Sequence, residues 1–441
     1  MLDPGAVAAR LRALAPEASA FRVALSGGRD SVALLHLLTQ ASEALPAPLS
    51  AVHVDHGLHP RSAQWAGFCR ALGERLGVPV AIRRVEVAVT AEAGIEAAAR
   101  EARYAALAEA LPPQGCVVLA HHADDQAETF LFRALRGSGV RGLSAMPHVR
   151  PFGHGVLARP LLGDTREAIT AYAAAAGLDW IDDPANHEER HARVFLRRRV
   201  LPALAERWPA AGAGLAAAAE AARSDRELLA EYLDADLARL RRGDGRPEVA
   251  GLRALPEARR LAVVSRWLEV AGLRPPPRPR LADGLQALLE AGPDADPRLA
   301  WAEGVLRRHR GRLALLGAGA ERSGPEGSWT WRGGSALPLP GGVLHASWSP
   351  DAALDPDLLE HGVSVRFRAG LEPRERRRAQ RLFQRLAVPT WERDGRPLLM
   401  LGSRPVAVAG FGVAPDHAST PGLKVYWEPE TPPEPDRGAT P

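Results

Sequence analysis

The chain has 441 residues, enough for about three domains, and its 46% hydrophobic and 24% charged residues are the balance of an ordinary globular protein. A formal charge of +4 does not by itself mark a nucleic-acid binder, and two cysteines, Cys69 and Cys116, can build neither a disulfide framework nor a four-ligand zinc site. The first residues lack the apolar core of a signal peptide and no apolar run approaches the roughly 20 residues of a membrane span, so a cytoplasmic protein is expected.

The basic residues are almost all arginine: Lys424 is the only lysine among 56 Lys plus Arg. A GC-rich genome accounts for this, and for the abundant Ala, Gly and Pro. The chemical consequence stands all the same. An N-terminal site that holds phosphate must do so with backbone N–H groups, arginine and metal.

Over the first 190 or so residues, strand-like and helix-like segments alternate. The strand candidates are Phe21–Leu25, Leu49–Asp55, Val78–Val87 and Gly115–His121, all rich in Val, Ile or Leu. The helix candidates between and after them are Ser31–Leu38, Ala63–Leu76, Ile95–Ala110 and Ala123–Leu135. Such alternation predicts a parallel, doubly wound α/β sheet with helices on both faces. Ligands in such folds bind beyond the carboxyl ends of the strands, where Ser26, Asp55 and His121 fall. From about Val194 to Leu289 the pattern is helical, interrupted by the proline run at 274–280. Short strands are expected from Leu299 to about Trp348, then a small α/β unit from His361 to about Tyr426, and a disordered Pro- and acid-rich tail.

Three segments carry candidate chemistry. SGGRDS, Ser26–Ser31, joins a strand to a helix. Gly27 and Gly28 let backbone approach an anion, the helix N-terminus aims N–H groups at it, and Ser26 and Ser31 add hydroxyls beside Arg29. Asp30 would repel phosphate directly, so its useful role is to hold a magnesium ion that the phosphates share. A tight turn with a capping side chain is the plainer reading. HHADDQAET, His121–Thr129, places two histidines, two aspartates and a glutamate at a strand end. Asp125 and Glu128 share a helix face, and Asp124 is placed to cap that helix; zinc held by His121, His122 and Asp125, or capping alone, are the alternatives to phosphate–metal or catalytic work. In AVHVDHGLHP, alternation puts His53 and Asp55 on one strand face, with His56 and His59 following. Glu96 and Arg100 stand at i, i+4 on the third helix candidate.

Taken together, these motifs resemble the N-type ATP pyrophosphatases with their SGGxDS loop, and more narrowly the long form of the tRNA(Ile)-lysidine synthase family. The narrower likeness rests on SGGRDS, VDHGLHPRSAQW, GIEAAAREARYAAL, LAHHADDQAETFLFRALRGSG followed by GLSAMP, RPLL, DPANHEERHARVFLRRRVLP and RLFQRLAVPTWERDGRPLLMLG. One departure is Arg193-Val194, where the family usually has Arg-Asn. The resemblance implies a PP-loop (HUP-like) catalytic domain over residues 1–212, a helical tRNA- and substrate-binding domain over 213–310, a linker with short strands over 311–350, a C-terminal tRNA-binding domain over 351–430 and a tail over 431–441.

It also implies a reaction. ATP adenylates O2 of the wobble cytidine of a tRNA(Ile) with a CAU anticodon, and free lysine attacks C2 through its ε-amine. Lysidine, AMP and pyrophosphate result. Ser26, Gly27, Gly28, Arg29, Asp30 and Ser31 would bind ATP, Asp30 and Asp125 would be catalytic and would hold Mg, and the oligomer would be a monomer or homodimer. A loop without lysine suits a pyrophosphate leaving group better than γ-phosphate transfer. Related loops occur in tRNA thiolases, GMP synthetase and argininosuccinate synthase, but there is no Cys-x-x-Cys and no glutaminase region; a non-catalytic RNA-binding protein is the reading from another class. In the C-terminal part, Arg374, Arg377, Arg378, Arg381 and Arg385 share one helix face opposite Leu382, Phe383 and Leu386, which marks either a solvated face or one that contacts tRNA phosphates.

Overall fold

The computed structural model describes residues 2–87, 95–183, 192–242, 245–292, 295–317, 319 and 323–430. Within it the chain forms two compact units, over the described parts of 2–229 and 230–430, the boundary falling inside the helix Ala211–Leu240.

In the first unit, helix α1 (Pro4–Leu14) precedes strand β1 (Phe21–Ala24), helix α2 (Arg29–Gln40), strand β2 (Leu49–Asp55), helix α3 (Ser62–Leu76), strand β3 (Val80–Arg84), helix α4 (Ile95–Glu109), strand β4 (Cys116–Val118) and helix α5 (Ala123–Leu135). A short helix α6 (Val140–Leu143), strands β5 (Val149–Phe152) and β6 (Gly155–Ala158) and helix α7 (Arg166–Ala175) follow. The sheet runs β3-β2-β1-β4-β6-β5, parallel throughout except for the β5–β6 hairpin. In β1, Phe21 and Val23 are buried, and all three residues of β4 are buried, as central strands covered on both faces require. Phe21 pairs with both Leu49 and Cys116, so β1 and β4 end side by side. The chain winds outward from β1 to β3 and returns to β4 on the other side. The crevice where strand order reverses therefore opens between the loops after β1 and β4.

The second unit begins with helices Val249–Ala254, Glu257–Val270 and Arg278–Glu290, packed through Leu252, Val264, Leu268, Leu285 and Leu288. A three-stranded antiparallel sheet, Arg298–Trp301, Gly304–His309 and Arg312–Gly317, follows. Two five-stranded sheets complete it, one built on Val363–Arg366, Leu398–Leu401 and Arg404–Val408, the other on Gly342–Ser349 and Gly422–Pro429. Strands from 328–349 join both sheets, around a core that holds Trp331, Phe367 and Trp427. Helix Pro373–Arg385 packs on Arg404–Val408 through Ala379, Leu382 and Phe383.

Candidate functional site

Backbone geometry shapes the first wall of the crevice. Gly27 has φ +86°, which a side chain would strain, and a Cβ there would lie 2.5 Å from Cδ1 of Ile181. The amide of Ile181 donates to the carbonyl of Gly27 at 2.9 Å, so a distant segment pins the turn. Gly28 is the residue before α2, with extended φ and ψ, leaving the first N–H groups of that helix facing the crevice. Ser26 and Ser31 hydroxyls are 3.0 Å apart, and Ser31 also donates to the Gly28 carbonyl at 2.9 Å.

The second wall is the start of α5. His122 is buried, with 1% of its side chain exposed, and its Nε2 stands 3.5 Å from a carboxylate oxygen of Asp30 and from one of Asp125. Its Nδ1 stands 3.5 Å from Asp124. At that separation neither ring nitrogen makes an aligned hydrogen bond, and the carboxylates act on the ring as charges at ion-pair distance. Burial opposes the imidazolium, yet the contacts with Asp124 and Asp30 and the charge of Asp125 outweigh it and raise its pKa to about 9. His122 is thus a cation at neutral pH. Asp30 is brought down to about 2: burial works against ionisation, but His122 and Arg29, which donates to it at 2.8 and 2.9 Å, more than compensate.

His121, the adjacent residue, behaves in the opposite way. Burial first, with help from the Arg159 charge and against Asp125, lowers it to about 4. The buried Arg159 donates to its Nδ1 at 3.2 Å and to the Pro147 carbonyl at 2.8 Å. The two histidines belong to separate networks. Among the described residues no three His, Cys, Asp or Glu side chains are grouped to hold a metal unaided, and His121 and His122 turn to different partners.

Capping differs from expectation. The carboxylate that accepts the His122 backbone N–H is that of Asp125, at 3.0 Å, whereas Asp124 accepts from the N–H of Arg166 at the start of α7. One residue further along, the helix turns Asp125 back over its own N-terminus and leaves Asp124 pointing to the next helix. Gln126 locks α5 in place by hydrogen bonds in both directions with the Met146 backbone, at 2.8 and 2.9 Å.

Asp30 and Asp125, from the first turns of α2 and α5, thus converge on one ring nitrogen. Two carboxylates beside a phosphate-binding turn are a fitting donor set for a magnesium ion whose remaining ligands are phosphates and water. The positively charged, buried ring between them also fits an anionic ligand.

Other expected residues serve the fold. Nδ1 of His53 bonds with the Leu25 carbonyl at 2.8 Å and stands 3.3 Å from the Cys69 sulfur, while Asp55 accepts from the Gly57 amide at 3.0 Å. His59 stacks on Trp65 at 4.5 Å. Arg100 donates to the Tyr104 hydroxyl at 3.3 Å; the side chain of Glu96 lies outside the described residues, as do positions 184–191 of the DPANHEERHARVF segment and the tail 431–441. Val194 is buried. Arg374, Arg377, Arg378, Arg381 and Arg385 are all exposed on one face of their helix in the second unit. Arg378 donates to the Ser403 hydroxyl at 2.6 Å, and the other four have no side-chain partner among the described residues.

A residue with no local signal completes the site. Arg197, in a turn of π-helix at Leu196–Val200, bonds to both carboxylate oxygens of the buried Glu128, at 2.5 and 2.9 Å, and stands 3.5 Å from Asp125. π-turns inside helices recur at functional sites.

The fold and this geometry agree with comparisons against known proteins. Residues 6–204 match a model of the PP-loop domain, 248–314 the TilS substrate binding domain and 363–427 the TilS substrate C-terminal domain. The chain is 43% identical to a tRNA(Ile)-lysidine synthase of Alkalilimnicola ehrlichii, over 97% of either chain. It is 40% identical to that of Methylococcus capsulatus, over 93% of this chain and 97% of the relative, and 41% identical to that of Pseudomonas aeruginosa, over 96% of both. With three domain matches in the family's order and near-complete coverage of its relatives, the chain belongs to the tRNA(Ile)-lysidine synthase family.

Proposed function

We propose that the enzyme is an ATP-consuming ligase that forms the carbon–nitrogen bond of lysidine in a tRNA(Ile) whose anticodon is CAU. O2 of the wobble cytidine attacks the α-phosphorus of ATP and pyrophosphate leaves. The neutral ε-amine of free lysine then attacks C2, AMP leaves with its electron pair on the former O2, and the amine proton passes to a base.

The observation that carries this reading is the convergence of Asp30 and Asp125 on the His122 ring beside the Gly27–Gly28 turn. Ser26, Gly27, Gly28 and Ser31, with the N-terminus of α2, hold the leaving pyrophosphate, and Arg29 keeps the Asp30 carboxylate oriented at 2.8 Å. His122, whose pKa is raised by Asp124, Asp30 and Asp125, sets a buried ring beside the turn where negative charge develops. Asp30 and Asp125 would hold Mg²⁺, which when bound neutralises charge on the phosphates. Thiolation is disfavoured, since Cys69 and Cys116 are both buried with pKa values pushed up to about 12 by burial. No helix among the described residues is long and apolar enough to cross a membrane, and we place the enzyme in the cytoplasm with its tRNA.

The test is incorporation of labelled lysine into an unmodified tRNA(Ile) CAU transcript, with release of AMP that depends on that transcript. ATP turnover without base modification would overturn the reading.

A further inference from the structure

The second unit holds a cavity of about 570 Å³ that the reaction above does not use. Its walls come from the three-stranded sheet and from the segments that flank helix Pro373–Arg385. Three guanidinium groups line it, Arg307, Arg368 and Arg393, against two carboxylates. Asp296 takes Arg307 at 2.7 Å and Asp394 takes Arg368 at 2.8 Å. Arg393 is left over. Its Nε donates to the Val388 carbonyl at 3.0 Å and it lies over the Phe383 ring, yet among the described residues no carboxylate pairs with it. Burial, and then the charge of Arg368, hold its pKa below the usual arginine range, while the charges of Asp296 and Asp394, neither of them paired with it at contact distance, act the other way.

The remaining lining is suited to a nucleotide. Gln380, half-buried on helix Pro373–Arg385, brings an amide that can both donate and accept, with no side-chain partner among the described residues. Thr390 adds a hydroxyl, and Trp391, 5.7 Å from the Arg307 guanidinium, adds an aromatic wall. The volume lies in the range of small-ligand sites. Phosphates alone would be met equally by a duplex, but Gln380 and Thr390 offer hydrogen bonds to a sugar or base edge that a nucleotide free of its stack can turn toward them.

We propose that this cavity binds the phosphate of a single unpaired nucleotide, with Arg393 as the main charge partner and Gln380 facing the sugar or base. The nucleotide comes either from a single-stranded end of the tRNA or from a free mononucleotide. The first source rests on the tRNA-modifying reading above.

The test compares the full chain with R393Q and Q380E in binding three probes: an unmodified tRNA(Ile) transcript, the same transcript trimmed of its unpaired 3′ nucleotides, and free AMP. The expected result is a several-fold weaker hold on the intact transcript only, with the slope of log K against log[salt] flattened by about 0.7 for one single-strand phosphate no longer neutralised. Loss of AMP binding alone assigns the pocket to the free nucleotide and also supports the proposal. Unchanged binding of all three probes overturns it, as does equal weakening for intact and trimmed transcripts with AMP unaffected. R393K keeps the charge and recovers part of the binding at an unchanged melting temperature, which a damaged fold would not do. Lysine incorporation by the unaltered enzyme is scored separately, so a failure of the lysidine reading is not confused with a failure of the pocket.

Discussion

Arg197 grips both carboxylate oxygens of Glu128, at 2.5 and 2.9 Å, although the two residues lie on helices far apart in the chain. Glu128 is 1% exposed at its side chain, so its charge cannot fall back on water if Arg197 is removed, whereas Arg197, 27% exposed and 3.5 Å from Asp125, keeps a second partner. Breaking such a pair costs about 3 kcal/mol, whereas replacing both partners by apolar groups is close to neutral. Denaturant unfolding should show R197M and E128Q each strongly destabilised, and the double variant well short of their sum, a coupling of about 2 kcal/mol. Strict additivity would mean that the two side chains are not energetically coupled.

For Asp30→Ala, AMP release should fall by at least about 100-fold while tRNA binding persists. The carboxylate is ionised down to about pH 2, stands beside the phosphate turn, and has Arg29 and His122 of the first unit as its charge partners. Near-normal AMP release at saturating magnesium would remove Asp30 from the chemistry.

Asp125→Asn separates charge from capping. The amide oxygen of asparagine still accepts the His122 N–H, now bonded to Asp125 at 3.0 Å, so helix α5 should keep its start and the melting temperature should fall only by the lost charge facing His122 and Arg197. Single-turnover lysidine formation should slow by about 100-fold or more with ATP affinity little changed. A variant that loses stability and retains its rate would make Asp125 a cap and nothing else.

Replacing Arg377, Arg378 and Arg381 with Gln addresses the exposed face of helix Pro373–Arg385. For every tRNA phosphate that these arginines neutralise, the salt slope of binding should fall by about 0.7–0.9, with ATP binding as it was. Arg378 should matter least, because it is already hydrogen-bonded to Ser403. Identical tRNA affinities at low and moderate salt would leave this face as solvated surface.

The thiols provide a prediction in pH. Burial raises both Cys69 and Cys116 to about 12, so the reactive thiolate is absent from the folded protein at neutral pH. Alkylating reagents should label neither cysteine at pH 8 until denaturant is added. Labelling of the native enzyme would show local opening around α3 or β4.

Much of the first unit could be read from the sequence because its signals are local. Strand β2, Leu49–Asp55, and helix α5, Ala123–Leu135, have the bounds that apolar runs and capping residues mark. The Gly115–His121 segment shortens to Cys116–Val118, because the chain leaves the sheet early to present His121 and His122 to different partners. Helix α1 escapes a reading by pattern despite Asp3 as cap and Pro4 in its first turn, since alanine blurs its apolar face. The β5–β6 hairpin is hidden by Pro151, which argues against a strand except at an edge, and β5 is an edge strand. In the site itself, SGGRDS and HHADDQAET are contiguous and could be seen. Arg197 could not, since it stands in an Arg-Arg-Arg run whose members look alike until the fold selects one.

The contact between Gly27 and Ile181 bears on modularity. A strand–turn–helix carrying SGGRDS looks like a part that could be transplanted into another α/β sheet. Here, though, the turn's unusual backbone is held by a hydrogen bond from the Ile181 amide, with the isoleucine side chain filling the place a Cβ would take. A graft of residues 21–40 alone would therefore carry the letters of the motif without its clamp, and the empty turn would be free to relax. The smallest portable unit includes the segment around Ile181, and the sheet that brings the two together.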